Sequence, residues 1–261
     1  MLVALAIASY TDTKKGLIFD WLTIPMILVG LTLNFIETEF LGIAVSAAVF
    51  FIGYLVYYAG KIGGGDVKLF TGASMLLPFF GGEPFVLSLA FVASITSVLA
   101  LSVFFLAKYF RKGISFKENR EGILKATLAA GIIAVYFGAM IGLGYLKPGT
   151  AIVLGIPTAL GLVFVGLEKG LRKNFFLQKV KLGELEEDEI IATDFLEETT
   201  RKELNLRIKG VLGKKEIEKL KSIGVKEVPV YRSLPPFAPF AFIGAIAVFL
   251  KPGILGLVLG A

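Results

Sequence analysis

Histidine and cysteine are both absent from the 261 residues of this chain. Without cysteine there is no disulfide, no thiolate metal site and no thiol nucleophile. Without histidine, Ser-His-Asp and Cys-His catalysis are excluded, and so is a His-Glu-x-x-His zinc site. Hydrolytic chemistry in such a chain must rest on carboxylates, lysine, serine, tyrosine or backbone groups. Charged residues are also sparse, at 18%. No internal repeat is visible.

What fills the chain instead is apolar. Hydrophobic residues make up 56% of it and its mean hydropathy is +0.79, above the roughly 45–50% usual for soluble domains. The excess lies in runs of about 15 to 26 residues, the length of membrane spans. These runs are Trp21 to Ile36, Phe40 to Ile62, Val67 to Phe80, Phe85 to Ala107, Thr127 to Leu146 and Thr150 to Leu167. A shorter run, Leu2 to Tyr10, precedes them, and Leu234 to Ala261, broken by Lys251-Pro252-Gly253, closes the chain. The expected fold is mainly α: a polytopic helical membrane protein of about six to eight membrane segments with a small cytoplasmic α/β domain. The expected division is a membrane helical catalytic domain over residues 1–167, the small domain over 168–233 and a C-terminal membrane segment over 234–261. The first run is short: nine residues give roughly 14 Å of helix against a hydrocarbon core of about 30 Å.

The net charge of +6 is better explained by orientation than by nucleic acid, because the cations flank apolar runs. With the amino terminus outside, all of the 27 lysines and arginines except Lys147 and Lys251 fall on the inner side, as the positive-inside rule requires. The basic stretch Lys108 to Lys125 reads as an inner loop, with anionic lipid contact as an addition. Within the polar stretch, Lys214 to Lys221 has the spacing of a short helix and Gly224 can stop it. Val225, Val228 and Val230 favour a strand, which Pro229 would put at a sheet edge. The acid-rich run Gly183 to Glu198 reads as a solvated helix face, or as a surface that steers a basic ligand.

Two acids lie where acids are expensive. Asp66 follows Gly63, Gly64 and Gly65 between two apolar runs, and Asp12 follows the first apolar run; the orientation puts both at the cytoplasmic face. Two carboxylates from separate helices can share a proton and activate water for aspartyl proteolysis. The three glycines let the backbone turn sharply and let another backbone approach the acid. The plainer alternative is a helix stop followed by an Asp cap. For Asp12 it is a solvated acid at a helix end. Asp20 suits a cap for the second apolar helix, with a catalytic part as the alternative. Lys68 is either an influence on the pair's titration or a snorkelling interfacial lysine.

These residues resemble a family: the archaeal prepilin and preflagellin peptidases, relatives of bacterial type IV prepilin peptidase and members of the Gly-x-Gly-Asp membrane aspartyl proteases. The motif reads Gly63-Gly64-Gly65-Asp66, followed by Val67-Lys68-Leu69. The family's first catalytic Asp opens a pattern that here reads Asp12-Thr13-Lys14-Lys15-Gly16-Leu17-Ile18-Phe19-Asp20, with Phe19 where proline is usual. The resemblance is firmest over residues 1–80. It implies Asp12 and Asp66 as the catalytic pair; Lys14, Asp20 and Lys68 are candidate supporting residues by their nearness in sequence to the pair. It implies cleavage of short prepilin or preflagellin leader peptides at the cytoplasmic membrane face. The absence of a Cys-x-x-Cys zinc domain implies proteolysis without methyl transfer. Neither a metal nor an organic cofactor is implied, and the expected partners are leader peptides and membrane lipids, not nucleic acid. The rival expectation is a non-enzymatic transporter or pilin-assembly protein that uses the acids for proton or partner binding.

Overall fold

A computed structural model describes residues 1–185, 189–196, 212–225, 227–232 and 234–259. Helices dominate it. In chain order they are α1 (Leu2–Lys15), α2 (Asp20–Ile36), α3 (Phe40–Tyr58), α4 (Gly64–Leu76), α5 (Phe85–Lys112), α6 (Phe116–Gly142), α7 (Pro148–Gly166) and the short α8 (Glu168–Leu171). Before the last strand of the small sheet comes α9 (Lys214–Ser222), and after the sheet come α10 (Ala238–Leu250) and α11 (Ile254–Leu259). Between α4 and α5, β1 (Phe79–Phe80) and β2 (Glu83–Pro84) form a two-residue hairpin.

Among the described residues, four helices are long and apolar enough to cross a membrane: α3, α5, α6 and α7. Their apolar side chains are largely uncovered; Ile132, Val135 and Phe104 are typical. The chain is therefore a mainly α-helical protein of membrane type. The helices α1, α2, α4 and α10 are apolar or mixed but shorter, at 14, 17, 13 and 13 residues. At 1.5 Å per residue they measure about 20 to 26 Å. Shortness suits where they lie: Leu5, Ala8, Leu22, Met26, Leu69, Ala73, Ala238 and Ala241 come from them and form one buried cluster with Phe85 and Leu89 of α5.

Close approach between these helices depends on small residues. A Cβ on Gly30 of α2 would stand 2.5 Å from the Met75 carbonyl carbon of α4, closer than packed atoms can come. At the same crossing, the Asn34 amide donates to the carbonyls of Gly30 at 2.7 Å and Met75 at 2.6 Å. Ser46 of α3 and Ser74 of α4 share a buried hydrogen bond of 2.9 Å. Such bonds between apolar helices satisfy groups that hydrocarbon cannot.

Two expectations about local structure change. The first apolar run was read as ending at Tyr10, but α1 continues through Thr11-Asp12-Thr13-Lys14-Lys15 and stops at Gly16, whose φ of 66° is the left-handed cap. Lysines in a last turn complement the helix dipole, so the polar residues extend the helix. The basic stretch Lys108 to Lys125 is mostly helix too: it is the end of α5 and the start of α6, with only Gly113–Ser115 between them. Ser115 caps α6, its hydroxyl accepting the Glu118 N–H.

The small sheet has the order β3-β5-β4, all antiparallel, with β3 at Leu177–Lys181, β4 at Ile190–Ile191 and β5 at Glu227–Tyr231. It packs against α9 through Val180, Ile191, Leu220, Val228 and Val230. Pro229 was expected on an edge strand, yet β5 is central. The physical reason is local. The Pro229 carbonyl accepts the Ala192 N–H at 2.9 Å, so its nitrogen faces the side where β4 has already ended, and the ladder to β3 loses no donor. The acidic run is not a helix where it is described. Leu182–Glu184 and Thr193–Phe195 are 3₁₀ turns on either side of β4. Residues 186–188 and 197–198 of that run lie outside the described residues.

Candidate active site

Asp66 is the third residue of α4. Its Oδ2 accepts the Gly63 N–H at 3.3 Å, the reach-back half of a capping box. The helix-stop reading and the functional reading thus coexist, because the acid that closes the helix start also faces a cleft. Gly63 is extended, with φ −76° and ψ 147°, so the need for glycine here is one of space. A Cβ on Gly65 would lie 2.9 Å from the Ile18 Cβ and 3.3 Å from its carbonyl oxygen. Gly65 thereby lets α4 start directly against the loop that follows Asp12. A Cβ on Gly64 would meet only the Tyr57 ring, at 3.4 Å.

Asp12 lies in the last turn of α1 and is buried. A buried carboxylate needs donors. Its Oδ2 accepts the Ala238 N–H at 2.9 Å, from the first residue of α10. A helix amino terminus, with unpaired N–H groups and the positive end of the dipole, is a natural seat for a carboxylate.

Asp12 and Asp66 line the same cleft, of about 570 Å³. Gly63, Gly64 and Gly65 line it as well. So do Asp20 and Lys68, but as a pair: Lys68 Nζ donates to Asp20 Oδ1 at 2.6 Å. Asp20 is the first residue of α2 and makes no side-chain cap, contrary to the capping expectation; the cap position is Phe19. Lys14 is exposed in the last turn of α1 and does not line the cleft. Among the described residues, no group of three or more metal-ligating side chains converges.

Several contributors were not anticipated. Phe50, Tyr54 and Tyr57 of α3 line one wall. Their i, i+4, i+7 spacing is a legible aromatic stripe. Ile190 of the small sheet closes another part, and also lines a second cavity of about 360 Å³ containing Arg172 and Tyr231. The Ala238 amide carries no sequence signal, since every residue but proline has one.

This geometry lies almost wholly within the part of the chain that comparison with known proteins recognises. Residues 1–104 match the type IV leader peptidase family. Over this region the chain is similar to type IV leader peptidases. Among curated proteins, prepilin peptidase EppA of Methanothermobacter thermautotrophicus is 38% identical over 107 residues, which are 38% of this chain and 27% of that protein. The match thus spans about a quarter of that relative's length. No solved structure matches the chain. The matched region carries both acids and the three glycines; α10, which holds Asp12, lies beyond it.

Proposed function

We propose that this protein is a membrane aspartyl endopeptidase of the prepilin and preflagellin peptidase type. The observation that carries the reading is that Asp12 and Asp66, from separate helices and 54 positions apart in the numbering, line one cleft inside the region matched to leader peptidases. Two adjacent carboxylates cannot easily both ionise, so they hold a proton between them and titrate as a unit. The ionised member draws a proton from water, which attacks the scissile carbonyl. The protonated member donates to the carbonyl oxygen. Gly63 to Gly65 line the cleft beside Asp66, with Gly65 admitting the loop that follows Asp12, and the aromatic wall of α3 supplies apolar contact. No step requires a metal or an organic cofactor.

The substrate in this reading is a polypeptide whose short leader precedes a hydrophobic helix, as in prepilins and preflagellins. The scissile bond then meets the acids at the membrane surface while the helix stays among lipids. The distribution of lysine and arginine supports a cytoplasmic placement of the cleft and of the small sheet. It also supports a division into residues 1–167, 168–233 and 234–261. Proteolysis occurs without methyl transfer. To test this, purified protein is incubated with a leader-bearing prepilin-like substrate and the products are mapped by mass spectrometry. A single cut between leader and hydrophobic helix supports the reading, and an intact substrate under conditions where the protein is folded opposes it.

A further inference from the structure

The two acid-bearing helices differ in their main packing partners, although both contribute to one buried cluster. α1 packs chiefly on α10, whereas α4 packs chiefly on α2 and α3. The loop after Asp12 meets Gly65 directly, and a second element, the start of α10, touches both sides. Ala238 donates its N–H to Asp12 at 2.9 Å. Its neighbour Phe237 stacks on Phe70 of α4, with ring centroids 5.9 Å apart and planes 28° apart. Phe70 lies one helical turn after Asp66, on the same side of α4.

This junction is built to resist movement. Pro235, Pro236 and Pro239 surround it, each with φ locked by its ring. α10 in turn is seated against α5: Ala241 and Ala245 are fully buried, and a Cβ on Gly244 would lie 3.0 Å from the Leu89 carbonyl oxygen and 3.2 Å from the Ala93 nitrogen. A helix held this closely to its neighbour is a fixed frame, and its first turn presents one contact to each acid-bearing helix.

We propose that Phe237 and Ala238, at the start of α10, are positioning residues that set the separation of the Asp12 and Asp66 carboxylates. The inference rests on the dyad reading above. It makes the carboxy-terminal part of the chain, outside the region matched to leader peptidases, a component of the catalytic centre. Neither residue takes part in bond making. Their effect is on the geometry in which water is held between the two acids, where a displacement of about 1 Å costs on the order of 100-fold in rate.

The test uses the full-length protein. Phe237→Ala is expected to lower kcat about 10- to 100-fold and to leave KM nearly unchanged, while Phe237→Tyr, which keeps the stacked ring, restores most of the rate. Ala238→Pro removes the N–H while supplying a residue suited to the first helical position, and is expected to lower kcat in the same way. Since the chain has no cysteine, Asp12→Cys with Asp66→Cys introduces the only two thiols, and their cross-linking by a short bifunctional reagent reads the separation directly. Adding Phe237→Ala should reduce that yield in folded protein. Wild-type kcat in both Phe237→Ala and Ala238→Pro would overturn the proposal. So would a rate loss that Phe237→Tyr fails to restore and that leaves cross-linking unchanged. Activity retained in Asp12→Asn or Asp66→Asn sinks the dyad itself; inactivity there with normal Phe237→Ala and Ala238→Pro enzymes removes only the positioning role.

Discussion

Lys68 Nζ donates to Asp20 Oδ1 at 2.6 Å, tying the start of α2 to the first turns of α4 at the edge of the cleft. The two side chains are 37% and 56% exposed, and an ion pair this open contributes about 0–1 kcal/mol. Asp20→Asn and Lys68→Met are therefore expected to shift stability by less than about 1 kcal/mol and to keep cleavage within several-fold of wild type. Thermal unfolding and a leader-cleavage assay check this. A thousandfold loss in Asp20→Asn would move that acid into the chemistry.

The glycines before Asp66 should differ in their tolerance of alanine. At Gly65 the new methyl meets Ile18 at 2.9 Å, and overpacking of this kind costs about 1–3 kcal/mol. At Gly64 it reaches ordinary contact with the Tyr57 ring. Gly65→Ala should thus lose stability and at least tenfold in rate, an order-of-magnitude expectation for a displaced catalytic group. Gly64→Ala should be much milder. Paired activity and unfolding measurements decide the order, and a reversed ranking would contradict the packing account.

Asn34 serves two carbonyls, Gly30 and Met75, in a site that is only 4% exposed. Asn34→Leu leaves the Met75 carbonyl without this donor, which costs about 1–3 kcal/mol. The expected result is a lower unfolding temperature in detergent, with cleavage intact below that temperature, because Asn34 does not line the cleft.

Sidedness is testable because the chain lacks cysteine. Single substitutions Thr38→Cys and Lys147→Cys should react with a membrane-impermeant thiol reagent in intact cells. Lys117→Cys and Lys219→Cys should react only after permeabilisation. The opposite pattern would place the cleft on the outer face.

What was legible in the sequence was what carries a cost. An acid beside hydrocarbon is expensive, so Asp12 and Asp66 stood out. Val225, Val228 and Val230 point to a strand and Lys214 to Lys221 to a helix; α9 covers the helix, and β5 holds Val228 and Val230 but begins after Val225. What was not legible depended on partners distant in sequence. Nothing local shows that the Asp12 carboxylate receives an amide 226 residues away, that Lys68 pairs with Asp20, or that Ile190 borders the cleft. Pro229 misled because the usual cost of proline in a central strand vanishes when the neighbouring strand ends beside it. α1 outruns its apolar stretch because hydropathy ends at Tyr10, whereas Lys14 and Lys15 complement the dipole of a last turn that stops only at Gly16.

The account stands most directly on the two carboxylates acting together. Asp12→Asn and Asp66→Asn, each purified folded and incubated with a prepilin-like substrate, are nearly isosteric with the natural residues and remove one proton-sharing partner each. Both variants should bind substrate and leave it uncleaved over times in which the wild-type protein cuts it completely. Near wild-type cleavage by either would contradict the proposed mechanism.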